Sequence, residues 1–155
     1  MEWKSLFFSF RGRVNRAKYW VVIVIIAVAD VILRGVGVVA KQRTDDSVAD
    51  ILTLLAVGVA VLAVALTCAV AGLAVATKRL HDRDKSAWWL LVFCALPGAL
   101  AGVGAGVTLA TASWLAFGLL AAVASAIGIW AFIELGCLRG TLGPNQYGPD
   151  PLGKG

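Results

Sequence analysis

The chain has 155 residues, 60% of them hydrophobic and only 15% charged, with 14 Lys and Arg against 9 Asp and Glu. A soluble domain is roughly 45–50% apolar and about 25% charged; here the charges are also segregated, and residues 51–76 and 87–133 carry none. This pattern excludes a soluble globular enzyme, a DNA-binding module and a disordered tail, and leaves a polytopic membrane protein. A bilayer core of about 30 Å takes about 20 apolar residues to cross as a helix, so the longer uncharged run accommodates two crossings.

In chain order, residues 1–18 form a basic segment expected at the membrane interface, with Arg13 and Arg16 on one face if residues 11–18 are helical. Span one covers about residues 19–40, interrupted by Asp30 and Arg34. Its opening, a basic segment followed by an apolar run and Ala27-Val28-Ala29, imitates a signal peptide. Apolar residues resume after Asp30, however, and complete a span. Span two covers about 51–76, span three 87–107 and span four 113–135, with a tail over 136–155. None of these runs alternates with the period of two that a lipid-facing barrel strand needs, so all are helices. The expected fold class is all-α, one membrane domain over residues 1–155 with four transmembrane helices and no appended soluble domain.

Basic residues outside the spans set the orientation. Lys4, Arg11, Arg13, Arg16, Lys18, Lys78, Arg79, Arg83, Lys85, Arg139 and Lys154 fall on one side, against Arg34, Lys41 and Arg43 on the other. Both termini and the middle loop are therefore expected in the cytoplasm. Trp20, Trp88, Trp89 and Trp130 fall near that interface and Trp114 near the outer one.

Few residues offer chemistry. Asp30 is roughly 16 Å into span one at 1.5 Å per residue, where a carboxyl is a candidate ion or proton site. Arg34, four residues on, is its expected partner. Gly98, Gly102 and Gly106 form a small-residue stripe for close helix packing, with Gly118 and Ala122 as the facing surface, and Pro97 is expected to kink the helix. The segment from Arg79 to Ser86 holds His81 and Asp82, a conceivable base, and Ser86, a conceivable nucleophile. Sequence neighbours seldom face one another, and no nucleophile-elbow motif accompanies them, so no catalytic residue is assigned. One histidine and three scattered cysteines match no metal or disulfide spacing; neither metal nor cofactor is expected.

Three segments together resemble a known family. Residues Phe10-Arg11-Gly12-Arg13-Val14-Asn15-Arg16-Ala17-Lys18-Tyr19-Trp20 are similar to its opening motif. Arg79-Leu80-His81-Asp82 followed by Ser86-Ala87-Trp88-Trp89 resembles its centre, and Gly143-Pro144-Asn145-Gln146-Tyr147-Gly148-Pro149-Asp150-Pro151 its close. The pattern is that of the small bacterial inner-membrane proteins grouped as domain of unknown function 805. Ala87 stands where the family usually has Gly, and Asp84 where a small residue is common. The resemblance implies a bacterial plasma (inner) membrane protein and brings no catalytic residues with it.

These motifs share the side found by the charge count, which makes the basic cytoplasmic face the expected working surface. The favoured expectation is a non-enzymatic binder of anionic phospholipid headgroups or of a protein partner, a second copy included, with no nucleic acid. A small transporter or channel using Asp30 is the alternative, and a lipid-acting enzyme using His81 and Asp82 ranks third. The tail is expected to dock on the N-terminal segment, with Tyr147 as its apolar anchor and Asp82 or Asp150 paired to Arg11, Arg13 or Arg16.

Overall fold

The computed structural model describes residues 3–42 and 48–153. Arg43 and Lys154, both counted in the charge comparison, lie outside them. A short helix α1 (Trp3–Phe8) precedes α2 (Arg16–Gln42) and α3 (Val48–Asp82). A π-helical turn, Leu91–Ala95, leads into α4 (Leu96–Thr111), and α5 (Trp114–Phe132) runs into a second π-helical turn, Ile133–Cys137. Four of these stretches are long and apolar enough to cross a membrane: Arg16–Gln42, Ala49–Asp82, Leu91–Thr111 and Trp114–Cys137. They leave side chains such as Val31, Leu62, Leu119 and Ile129 exposed, as lipid-facing helices do.

The contacts group into two compact units, residues 3–9 with 20–75 and residues 10–19 with 76–153. In the first, Gly72 of α3 admits Ile26 of α2, whose Cδ1 would lie 3.6 Å from a Cβ at that glycine. The same two helices border a groove of about 440 Å³ that includes this contact, lined also by Asp30, Cys68 and apolar residues such as Ile23, Leu33 and Ala65. Arg34 Nε donates to Asp30 Oδ2 at 2.6 Å, as their four-residue spacing requires.

In the second unit α4 packs on α5. The turn between them is two residues long: Ala112, at φ +53°, ends α4 by donating its N–H to the Thr108 carbonyl at 2.8 Å, and Ser113 starts the next helix. Span three thus runs to Thr111, four residues beyond its expected end, because Thr108 and Thr111 satisfy their hydroxyls on carbonyls one turn back. The helix contact is not the one the glycine stripe suggests. Gly98, Gly102 and Gly106 are exposed, as are Gly118 and Ala122. The close approach is at Gly104, where a Cβ would lie 3.3 Å from Phe117 Cα. The expected Pro97 kink takes the form of the π-helical turn just before it, in which Leu96 donates to the Leu91 carbonyl. A widened turn accommodates a proline that brings no N–H of its own.

Two other expectations are corrected. Residues 11–18 are not one interfacial helix: Gly12 takes φ +87°, and the Asn15 side chain caps the Lys18 N–H at 3.0 Å, so α2 begins at Arg16. Nor is Arg79–Ser86 a loop throughout. α3 is 35 residues long, roughly 52 Å at 1.5 Å per residue. Its apolar stretch 51–76 already suffices to cross, so the turns carrying Lys78 to Asp82 project past the hydrocarbon. The chain reverses only at Arg83-Asp84, where Asp84 has φ +59°. That left-handed geometry accounts for an unusual residue at this position, since Asp tolerates it better than most side chains do.

Candidate functional site: a charged cap on the helix ends

Helix C-termini leave carbonyls without intrahelical partners and carry partial negative charge. The second unit brings two of them together: guanidinium groups satisfy those of the α5 segment, while at the α3 end the His81 and Asp82 carbonyls accept from the Asn145 amide and the Thr141 N–H. Arg79, fully buried on the last turn of α3, donates from Nε to the Leu135 carbonyl at 2.8 Å and from Nη2 to the Leu138 carbonyl. Arg16 donates to the Cys137 carbonyl at 2.8 Å, and Arg83 to the Arg139 carbonyl at 2.8 Å. The π-helical turn at Ile133–Cys137 makes this possible: it ends with Leu138 N–H on the Ile133 carbonyl and turns Glu134, Leu135 and Gly136 all inward.

Asp82 is the hub. Its carboxylate, 4% exposed, accepts from Arg13 Nε at 3.1 Å and from Arg79 Nη1. Arg13 comes from the extended stretch before α2 and also holds the tail, donating to the carbonyls of Thr141 at 2.6 Å, Gly143 at 2.7 Å and Gly148 at 3.3 Å. The Asp82 carbonyl in turn accepts the Thr141 N–H at 2.8 Å. Burial pushes the Asp82 carboxyl above its usual range, with Arg79 and Arg13 pulling against it. A second buried acid, Glu134, accepts from Arg83 Nε at 2.6 Å and lies 2.7 Å from Lys85 Nζ. Lys85 also sits over the Trp89 ring at 4.8 Å, next to an edge-to-face cluster of Trp89, Phe93 and Trp130. Among the described residues, no buried side-chain nitrogen or oxygen lacks a partner.

The tail folds back as a tight turn. Asn145 and Gly148 exchange both backbone hydrogen bonds, with Gly143 at φ +72° and Gly148 at φ +138°. Asn145 donates to the His81 carbonyl at 2.8 Å and to Thr141 Oγ1, while its own side-chain oxygen accepts the Tyr147 N–H. Tyr147 stacks face to face on His81, with centroids 3.9 Å apart and planes 3° from parallel. It is half-buried rather than fully covered. The tail's docking on the N-terminal segment therefore runs through Arg13 and Asp82. Asp150 makes no ion pair among the described residues; it accepts backbone N–H groups from Gly143 and Leu152 instead.

The cap thus brings together Arg13, Arg16, Arg79, His81, Asp82, Asn145, Tyr147 and Asp150. Tyr19 is buried, whereas Arg11, Ser86 and Trp88 are exposed. Trp20, half-buried, belongs with Asp30 and Arg34 to the other unit. His81 and Asp82 diverge: the histidine Nδ1 lies 3.3 Å from the Gly12 carbonyl while the carboxylate turns to the arginines. They form no acid–base pair. Sequence reasoning passed over Glu134, Thr141 and Gly140. Glu134 carried a usable signal, being the first charge after the uncharged run 87–133 and on the same side as Arg83 and Lys85.

Burial holds the His81 ring below the usual 6.5, the Gly12 carbonyl working against it. The unfolded chain therefore binds the proton first, and the cap loses stability as pH falls through 6.5 towards the folded-state value. Tail cleavage by a protease should accelerate between pH 7.5 and 5.5. The H81F variant, which keeps a ring under Tyr147, should lose that pH response; an undiminished response would assign it to another group.

Fold and cap define a small integral membrane protein with four apolar helices and, in its second unit, a polar cluster built from the N-terminal segment, the middle turn and the tail. Residues 7–149 match the family described as Protein of unknown function (DUF805), and the chain belongs to that family. It is similar to the Inner membrane protein YhaH of Escherichia coli strain K12, with 26% identity over 147 residues covering 92% of this chain and 87% of the relative. It is equally similar to the YhaH of Escherichia coli O157:H7. No solved structure matches the chain.

Proposed function

We propose that the chain is a non-enzymatic protein of the bacterial inner membrane, its termini and cap in the cytoplasm, binding anionic phospholipid headgroups. The observation that carries this reading is the division of the basic residues. Arg13, Arg79, Arg83 and Lys85 are matched by Asp82 and Glu134, whereas Lys4, Arg16, Lys18 and Arg139 are exposed and form no ion pair among the described residues. Each exposed basic residue near an anionic leaflet contributes about 1 kcal/mol of attraction. Exposed Trp88, at the start of span three, suits the headgroup level where tryptophan accumulates. Asp30 is engaged by Arg34 in a largely apolar groove, which gives transport less support; diverging His81 and Asp82 do the same for catalysis.

Reporter fusions after Asp46 and after Gly155 test the orientation. The first should report the periplasm and the second the cytoplasm; matching signals would overturn the topology. Lipid preference is tested by extracting the protein from membranes and comparing co-purified lipid with bulk composition. Enrichment of anionic lipid is expected. Bulk composition, with a protein retained instead, would move the reading to a protein partner.

A further inference from the structure

Between the start of α2, the end of α3 and the tail lies a cavity of about 40 Å³, lined by Asn15, Arg16, Arg79, Asp82, Arg139 and Asp150 among others. At about 10–15 Å³ per water on this measure, it holds about three waters, comparable to the exposed oxygens of a phosphate group. Only part of its charge is matched internally. Arg79 is committed on all three nitrogens, and Asp82 is shared between Arg79 and Arg13. Among the described residues Arg16 uses only Nη1, on the Cys137 carbonyl. The Arg139 guanidinium has no hydrogen bond or ion pair among the described residues. Asp150 lines the same cavity, yet its oxygens are turned to backbone N–H groups and neither arginine pairs with it.

Two arginines that line one small cavity and hold uncommitted guanidinium donors can supply a fork-shaped receptor for a tetrahedral oxyanion. We propose that this cavity accepts a phosphate group, with Arg16 and Arg139 as its ligands. The proposal rests on the reading of the cap as a binder of anionic lipid and gives it a defined site. The same phosphate chemistry is offered by a lipid headgroup and by soluble phosphate, and the test separates them.

The full chain in detergent is examined by native mass spectrometry with phosphatidylglycerol or phosphatidylcholine, and by thermal unfolding with inorganic phosphate. One phosphatidylglycerol per chain should be retained and phosphatidylcholine lost. R16Q/R139Q should weaken retention by about tenfold or more, as expected for lost charge-assisted hydrogen bonds. K4Q/K18Q, equal in charge change but outside the cavity lining, should weaken it by no more than about threefold, because solvent and salt screen exposed charges. Stabilisation by inorganic phosphate in the wild type but not in R16Q/R139Q, without lipid retention, would support the cavity while naming soluble phosphate as its source and overturning the lipid reading. Equal losses in the two double variants would overturn the cavity and leave diffuse lipid attraction standing. A wild type that retains no anionic lipid and ignores phosphate would overturn both. R139Q alone, which breaks no internal bond, should weaken retention at an unchanged melting temperature; undiminished retention would overturn the assignment of Arg139.

Discussion

Replacing Asp82 by alanine should cost about 3–5 kcal/mol of stability, the range for breaking a buried ion pair from one side. Arg13 and Arg79 would be left buried with the only carboxylate that touches them among the described residues removed. Their hydrogen bonds to carbonyls of the tail and the α5 segment would survive, but those bonds do not neutralise charge. D82N, which keeps the acceptor oxygen and loses the charge, should fall between wild type and D82A. Apolar replacement of all three residues should not restore stability, as it can for an isolated buried ion triad. Here Arg13 and Arg79 also satisfy the carbonyls of Thr141, Gly143, Gly148, Leu135 and Leu138, and those acceptors would be orphaned. Denaturant unfolding in detergent, followed by tryptophan fluorescence, with tail proteolysis alongside, measures the effect. A D82A variant within about 1 kcal/mol of wild type would show that the carbonyls alone hold both arginines.

The spans were legible because nothing competes with them: stretches such as 51–76 and 87–133 have no other solvent than lipid. The three motif segments also pointed to the cap, and Arg13, His81, Asp82, Asn145 and Tyr147 meet there. What the sequence did not disclose was direction. Span three is small or apolar on every face, so the period-four glycines could not select the contacting one. Gly104 makes the contact because Phe117 lies opposite it. Most cap contacts are side chain to backbone carbonyl, and a carbonyl leaves no mark in residue type. Only the glycines trace the backbone's path there, and of these Gly140 lies outside the motif that drew attention to the tail.

Gly140→Ala should disrupt the cap more than its size suggests. A Cβ there would lie 2.0 Å from Asp82 Oδ2 and 2.5 Å from Cγ. A carboxylate at the end of a free side chain would swing aside, but this one is held by Arg13 and Arg79. Either the ion cluster or the tail must therefore move, and the tail carries the carbonyls that Arg13 binds. A loss at the upper end of the about 1–3 kcal/mol typical of overpacking is expected. Gly143→Ala makes the comparison. At φ +72° with nothing within 4 Å of its added Cβ, it should lose only the roughly 1–2 kcal/mol of left-handed strain. The two costs become separable in combination with D82A. Because Gly140→Ala acts through the Asp82 carboxylate, G140A/D82A should be little less stable than D82A alone, whereas G143A and D82A should come closer to summing. Additive losses for G140A and D82A in the same unfolding assay would place the effect of Gly140 elsewhere in the tail, away from the arginine–aspartate cluster.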